Sequence, residues 1–541
     1  MDQSYQKNIQ ELHANRERSL VAEALIDMSH LSSTEDVTHV PRSSGVLSAD
    51  EIEWTEQYDV TALVDLLVTQ KVKAVDLLHA FRKRATLAQQ LTNCLTELLD
   101  EAIPKAQACD EHLAKTGTPL GPLHGVPVSV KDQIGIAGHK NNVAFVAWTD
   151  RVSQEDADIV KWLTQQGAIV FARTSQPQVL MHLETSNNIF GATTNPRNRE
   201  LTCGGSTGGE AALMAIRGTP MGIGGDIGGS IRCPAALNGL YGFKPSVGRI
   251  SKTGAAGTVP GCDSIKGTLG PFTRSYRDLE LFCRLYSRSA RWELDSSLIP
   301  TPFHSSPRVE TQRKIRIGII RDDEVVSPLP PVQRVLDLVA AKLFRSDRVE
   351  LVPFKPYKHQ EAWEIITANY FEDGGATIRK ICATSGEPLR PLSEWILNEC
   401  AQNEKLVAET LQGRKAARDE FQEAYCDHWN ASGVDAVIAP VTPSVAPPLN
   451  TTRSWGYTSI WNLLDYPAIS FPASDMVQGW EVDLASENYV PRTPTEKAIY
   501  ANYDPDVAQR MPVGLQIVGK RLQEGRLLED MALIEQILRQ D

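Results

Sequence analysis

Between Gly204 and Ser230, glycine occupies positions 204, 205, 208, 209, 218, 222, 224, 225, 228 and 229. Neighbouring glycines free the backbone to enter φ > 0 and let several N–H groups converge on one small anion or oxyanion. Any fold for this chain must therefore hold a nearly bare backbone loop in place. Three readings compete for the stretch. A phosphate loop fits poorly, because Gly222-x-Gly224 would need glycine at Ile227 and no G-x-x-x-x-G-K-[ST] occurs. Gly204-Gly-Ser206-Thr-Gly208 satisfies the G-x-S-x-G elbow. However, residues Arg199 to Cys203 make a poor preceding strand, and His304, His359 and His428 have no distinguishing context. The third reading joins Ser206 and Ser230 to Lys131, at the end of an apolar strand. Burial there would lower the lysine's pKa towards neutrality, and a bridging serine could relay a proton to it from the nucleophile.

The rest of the chain alternates helix and strand signals. Ser48 and Glu51 have capping-box spacing. Tyr58 to Lys71, Ala74 to Leu91 and Asp158 to Gln166 carry helical periodicity. Gly125 to Lys131 changes to period two, with Val126, Val128 and Val130 on one face and Ser129 and Lys131 on the other. Ala168 to Ala172, Lys314 to Ile320, Val434 to Ala439 and Pro512 to Val518 read as further strands before a C-terminal helix. Such alternation predicts an α/β architecture. Residues 1–45 read as an arm, with an amphipathic helix over Glu11 to Ser29 and a linker over Ser32 to Ser44. Residues 46–541 read as one domain, with its catalytic core at about 120–275 and substrate-side excursions at about 285–310 and 440–511. Asp475 to Pro512 reads as a long surface excursion.

Composition narrows the function. Charged residues number 55 basic and 67 acidic, a formal charge of −12, which disfavours nucleic acid as a partner. Nine scattered cysteines without C-x-x-C, and no H-E-x-x-H, imply neither a disulfide framework nor a zinc site. The polar N-terminus and the absence of any long apolar run imply a cytoplasmic protein that contacts no membrane.

Longer motifs carry a resemblance. Gly204-Gly-Ser-Thr-Gly-Gly-Glu210, Gly224-Gly-Asp-Ile-Gly-Gly-Ser-Ile-Arg232 and Gly239-Leu-Tyr-Gly-Phe-Lys-Pro245 resemble the amidase signature. Pro122-Leu-His-Gly-Val-Pro-Val-Ser-Val-Lys-Asp132 is similar to that family's lysine strand. Gly267 to Pro271, Asp435 to Pro440 and Pro512 to Gly519 are similar to its later landmarks. Glu56 to Ala62, Thr92 to Glu97, Asn195 to Asn198 and Leu464 to Pro467 most resemble the fungal acetamidase and general amidase branch.

The resemblance implies a mixed, twisted β-sheet core surrounded by helices and a Ser-Ser-Lys triad. Ser230 would be the nucleophile, Ser206 the bridging serine on a cis peptide, and Lys131 the base. Ile227, Gly228 and Gly229, with the Ser230 N–H, would form the oxyanion hole, and Asp226 and Arg232 would shape the loop. The implied reaction cleaves a small aliphatic or aryl primary amide, such as acetamide, to the acid and ammonia through an acyl-enzyme. It needs no metal or organic cofactor, and ester or carbamate cleavage would be a side activity. Alternatives are a glutaminase subunit of a tRNA-dependent amidotransferase, against which the acidic balance argues, and an inactive member, against which the intact triad argues. A homodimer covered by the arm is a further expectation. Thr207, Gly225 and Cys203 depart from the family's usual Ser, Thr and Pro. Cys203 and Cys233 read as small packing residues, with oxidation sensitivity the alternative. Trp455, Tyr457, Trp461 and Tyr466 either line the acyl pocket or pack beneath a long loop.

Overall fold

The structure is a computed structural model that describes residues 3–259, 261–303, 313–400, 407–486 and 488–540. Eleven strands form its main sheet. They are β1 (Leu95–Leu98), β2 (Pro127–Lys131), β3 (Ile169–Thr174), β4 (Met221–Asp226), β5 (Tyr241–Lys244), β6 (Thr268–Thr273), β7 (Ile315–Ile319), β8 (Val349–Val352), β9 (Ala436–Pro440), β10 (Ala468–Met476) and β11 (Pro512–Val518). Their order across the sheet is β1-β3-β2-β4-β6-β5-β10-β11-β9-β7-β8. β2 is parallel to β3 and β4, and β7 is parallel to β8 and β9. The other pairings are antiparallel, so the α/β sheet is mixed.

Parallel strands require cover on both faces, and β2 has it. Val128 and Val130 are fully buried on one side, Ser129 and Lys131 on the other. Over the serine–lysine side lies the helix Gly208–Ala215, backed by the helix Ala74–Thr92. The latter buries Leu77, Leu78, Phe81, Ala85 and Ala88, the three- and four-residue spacing of a core-facing stripe. At Ser48 the capping box forms: its hydroxyl accepts from Glu51 N–H at 3.2 Å and its own N–H donates to the Glu51 carboxylate at 2.8 Å.

Several local expectations differ. The first helix spans Gln3–Ser19 instead of Glu11 to Ser29. The chain beyond it runs against the helix Ala74–Thr92, where Thr86 and Gln90 accept the Val21 and Ile26 N–H groups. Val37 and Ala24 are fully buried, and Leu12 packs with Val146, Ile189 and Phe190. The stretch expected to be a linker contains a short helix, Val40–Ser43. Asn198–Thr202 is a strand after all, paired with Thr194–Asn195 in a two-stranded ribbon apart from the main sheet. The excursion at 475–512 contains the helix Pro494–Ala501 and is anchored by the buried carboxylates of Asp483, on Arg334, and Glu496, on the Ser327 N–H. Residues 304–310 of the other expected excursion lie outside the described residues. Among the described residues no helix is long and apolar enough to cross a membrane.

Candidate active site

The parallel trio β3-β2-β4 ends on one edge of the sheet, where open α/β sheets place their ligands. Lys131 is the last residue of β2 and Asp226 the last of β4. The Lys131 ammonium nitrogen lies 2.6 Å from Ser206 Oγ and 3.3 Å from Thr207 Oγ1. Ser206 follows a cis peptide bond from Gly205. A Cβ on Gly205 would stand 2.1 Å from the Glu184 carbonyl oxygen, so only glycine fits there. Ser230 sits in the turn between β4 and the helix Arg232–Asn238, and its carbonyl accepts the Thr207 N–H at 3.2 Å. Lys131, Ser206 and Ser230 thus line one cavity of about 500 Å³.

Burial pushes Lys131 down to about 7, against the opposing pull of Asp226 and, when it is ionised, of Glu210. Near neutral pH this amine can accept a proton. Glu210, in the first turn of the helix Gly208–Ala215, is pushed up to about 8 by burial. Its partners are hydroxyls, Ser129 at 2.5 Å and Thr174 at 2.9 Å. Sequence reasoning assigned Glu210 no role; the available signal was one acid opening an otherwise apolar helix. Asp226 behaves in the opposite way. Burial alone would raise it, but Arg232 holds it well below the usual carboxylate range. The Arg232–Asp226 pair, at 3.0 Å, is fully buried. Arg232 also donates to Thr458 O, Gln516 Oε1 and Asn462 Oδ1. These bonds stitch the loop to β11 and to the helix Gly456–Leu463.

The loop after β4 presents its N–H groups unevenly. Tyr370 OH donates to the Ile227 carbonyl at 3.1 Å and Thr458 Oγ1 to the Gly228 carbonyl at 2.7 Å. A trans peptide points its C=O and N–H in opposite directions, so these bonds fix where the following N–H groups aim. The Gly229 N–H is taken by Asp226 Oδ1 at 2.9 Å. Gly229 is therefore a brace of the loop, not an available oxyanion donor, and this corrects the expectation for it. Its φ of +130°, and the 2.4 Å that would separate a Cβ from Thr458 Oγ1, restrict the position to glycine. Among the described residues no partner is found for the N–H groups of Ile227, Gly228 and Ser230.

The four downstream aromatics do not line this cavity. Trp461 stacks on Tyr466 and meets Tyr425 edge-on, Tyr457 OH donates to Val326 O, and Trp455 packs against Trp363 and Tyr370. They form the packing layer under the loop, because the helix Gly456–Leu463 is buried all round, at every position from Tyr457 to Leu463. Leu180, Met181, Ile250, Leu298, Tyr370 and Phe371 supply the apolar walls instead. Thr207 keeps the hydroxyl that a serine would offer and donates it to Gly225 O at 3.2 Å. A Cβ on Gly225 would meet Gln133 at an ordinary 3.4 Å, so glycine there leaves room in the cavity and no clash demands it. Burial pushes Cys233 up to about 12 and Cys203 well above its ordinary value, so both thiols stay protonated as packing groups. Among the described residues, no cluster of His, Cys, Asp or Glu is placed to hold a metal ion.

A near-neutral buried amine, two hydroxyls and unengaged backbone N–H groups are the parts required to attack a carbonyl and hold the resulting oxyanion. Fold and site therefore define a hydrolase of acyl compounds. The family model described as Amidase matches residues 76–528. A Schizosaccharomyces pombe protein is 44% identical over 505 residues, 93% of each chain. The acetamidase of Emericella nidulans is 35% identical over 535 residues, 96% of each chain. A solved structure of fatty acid amide hydrolase superposes with a TM-score of 0.94 at 32% identity, covering 100% of this chain and 96% of that one. The chain belongs to the amidase family and is an enzyme that hydrolyses amide carbon–nitrogen bonds.

Proposed function

We propose that the enzyme cleaves a linear primary amide, R–CO–NH₂, to the acid and ammonia through an acyl-enzyme on Ser230. The observation that carries this reading is the 2.6 Å contact between the buried Lys131 and Ser206, in a cavity that Ser230 shares. Ser230 Oγ bonds to the carbonyl carbon while its proton passes to Ser206 Oγ, which gives its own proton to Lys131 Nζ. The oxyanion rests on the N–H groups of Ile227, Gly228 and Ser230. Collapse breaks the C–N bond, and the proton held by Lys131 returns through Ser206 to the departing nitrogen as ammonia. Water then attacks the ester by the same relay, releasing the acid and restoring Ser230.

Relatives named acetamidase support short primary amides as substrates. At about 500 Å³ the cavity also admits aliphatic and aryl acyl groups larger than acetyl. Esters and carbamates present the same carbonyl to Ser230. The test is ammonia release from acetamide, butyramide, hexanamide and benzamide, combined with fluorophosphonate labelling and peptide mapping. Turnover by the wild type, its loss in Ser230→Ala and label on Ser230 are expected. Label on Ser206, or turnover that survives Ser230→Ala, overturns the assignment of the nucleophile.

A further inference from the structure

The cavity that holds Ser230 carries a charge asymmetry that amide hydrolysis does not use. Four charged side chains line it: Lys131, Asp226, Lys252 and Lys266. The first two belong to the chemistry, and the Asp226 carboxylate is engaged by Arg232. Lys252 and Lys266 are exposed, and among the described residues neither ammonium group has an ion-pair or hydrogen-bond partner. The acid that feels Lys266, Asp263, is bonded to Lys415 at 2.6 Å. Crowding by the cavity wall, and then the neighbouring charge of Lys266, hold Lys252 below its ordinary value. Two like charges thus stand close to one another without an acid of their own, an arrangement that an incoming anion relieves.

Both lysines are tied to the catalytic segments. Lys266 lies two residues before Thr268, the register partner of Asp226 across β4 and β6. Between them, Gly267 abuts Ile227, to which a Cβ on that glycine would come within 3.1 Å. The Lys252 carbonyl accepts the Ala255 N–H, and the next residue, Ala256, donates its N–H to the Gln133 carbonyl, two residues beyond Lys131. Apolar walls from Leu180, Ile250 and Leu298 suit a methylene spacer. The chain as a whole has a formal net charge of −12, so an anion is attracted to this mouth against the general field.

We infer that the acyl group of the preferred substrate ends in a carboxylate bound by Lys252 and Lys266 while the amide lies at Ser230: the substrate class is the half-amide of a dicarboxylic acid. The inference rests on the primary-amide reading above, because with ammonia as the leaving group the rest of the substrate lies on the acyl side.

The test compares kcat/KM for length-matched pairs: succinamate with butyramide, adipamate with hexanamide, and suberamate with octanamide. At one chain length the half-amide is expected to be preferred by about tenfold or more, carried by KM and weakened by added salt. In the double variant Lys252→Gln, Lys266→Gln that ratio should fall to near one, with thermal unfolding as the control for fold. A ratio near one in the wild type at every length, or a preference that survives the double substitution, overturns the inference. Turnover of the neutral amides reports the primary-amide reading separately. If no amide is turned over, that reading fails, and calorimetric binding of adipamate to wild type and double variant decides the inference by itself. Binding lost with the two lysines supports it, and equal or absent binding overturns it.

Discussion

Glu210 and Asp226 are both fully buried, both influence Lys131, and are driven in opposite directions. Glu210 has only hydroxyl partners, so burial pushes its carboxyl up to about 8. Asp226 has the guanidinium of Arg232, which overrides burial and keeps it ionised. Desolvation neutralises an acid unless a cation is buried with it. The site is thereby divided. Lys131, Ser206, Thr207 and Glu210 form a nearly neutral half in which protons can move. Asp226 and Arg232 form an ionised half that clamps the backbone around Ser230.

The division can be broken from either side. The largest effect on rate is expected in the neutral half: Ser230→Ala or Lys131→Met should lower kcat/KM by ~10⁴-fold. Stability should respond differently. Lys131 has a folded-state pKa of about 7, below its unfolded value of about 10.4. Between those values the unfolded chain takes up a proton that the folded chain does not, so wild-type stability rises with pH over that window. Lys131→Met should lose this slope and unfold no earlier than wild type at pH 7. Urea unfolding at several pH values checks it, and identical slopes in the two proteins would show that Lys131 is charged in the folded state.

Next in size, Arg232→Met should cost about 3–5 kcal/mol of stability by leaving Asp226 buried and unpaired. The double variant Arg232→Met, Asp226→Leu should recover part of the loss. A cost under about 1 kcal/mol would mean that the pair does not hold the loop. Third, kcat/KM should fall about tenfold per pH unit below the Lys131 value of about 7, because Lys131, the proposed base, is then protonated. A profile that stays flat to pH 5 contradicts the role of Lys131 as base. The smallest effect is expected for Glu210→Gln, about threefold or less in rate, with the acid limb moving by under about half a unit, since the carboxyl it replaces is already neutral. A limb displaced by more than one unit would place an ionised Glu210 beside Lys131 and abolish the contrast with Asp226.

Much of this is legible in the sequence. The alternation of Val126, Val128 and Val130 located β2 and placed Lys131 at its end; Ser48 and Glu51 located a helix start to the residue. These features are local, so local periodicity and capping report them. The misreadings have one physical cause. Whether Trp461 faces a cavity or another ring depends on Tyr425 and Trp429, which come from the separate helix Ala408–Ser432. The Gly229 N–H looks available in sequence, yet the Asp226 carboxylate, held by Arg232 and the distant Asn462, reaches three residues forward to take it. The first helix ends at Ser19 because the following chain finds its hydrogen-bond partners on Thr86 and Gln90.

By itself the sequence determined which groups are present and in what local setting: a lysine closing an apolar strand, two serines in glycine-rich turns, an aspartate and an arginine flanking the second serine. Tertiary structure alone decided their charge states and partners. A pKa is set by the water removed and the charges brought near; around Lys131 the water is excluded by the paired strand ending at Thr174 and by Ser206, and the charged groups are Glu210 and Asp226, all distant in sequence.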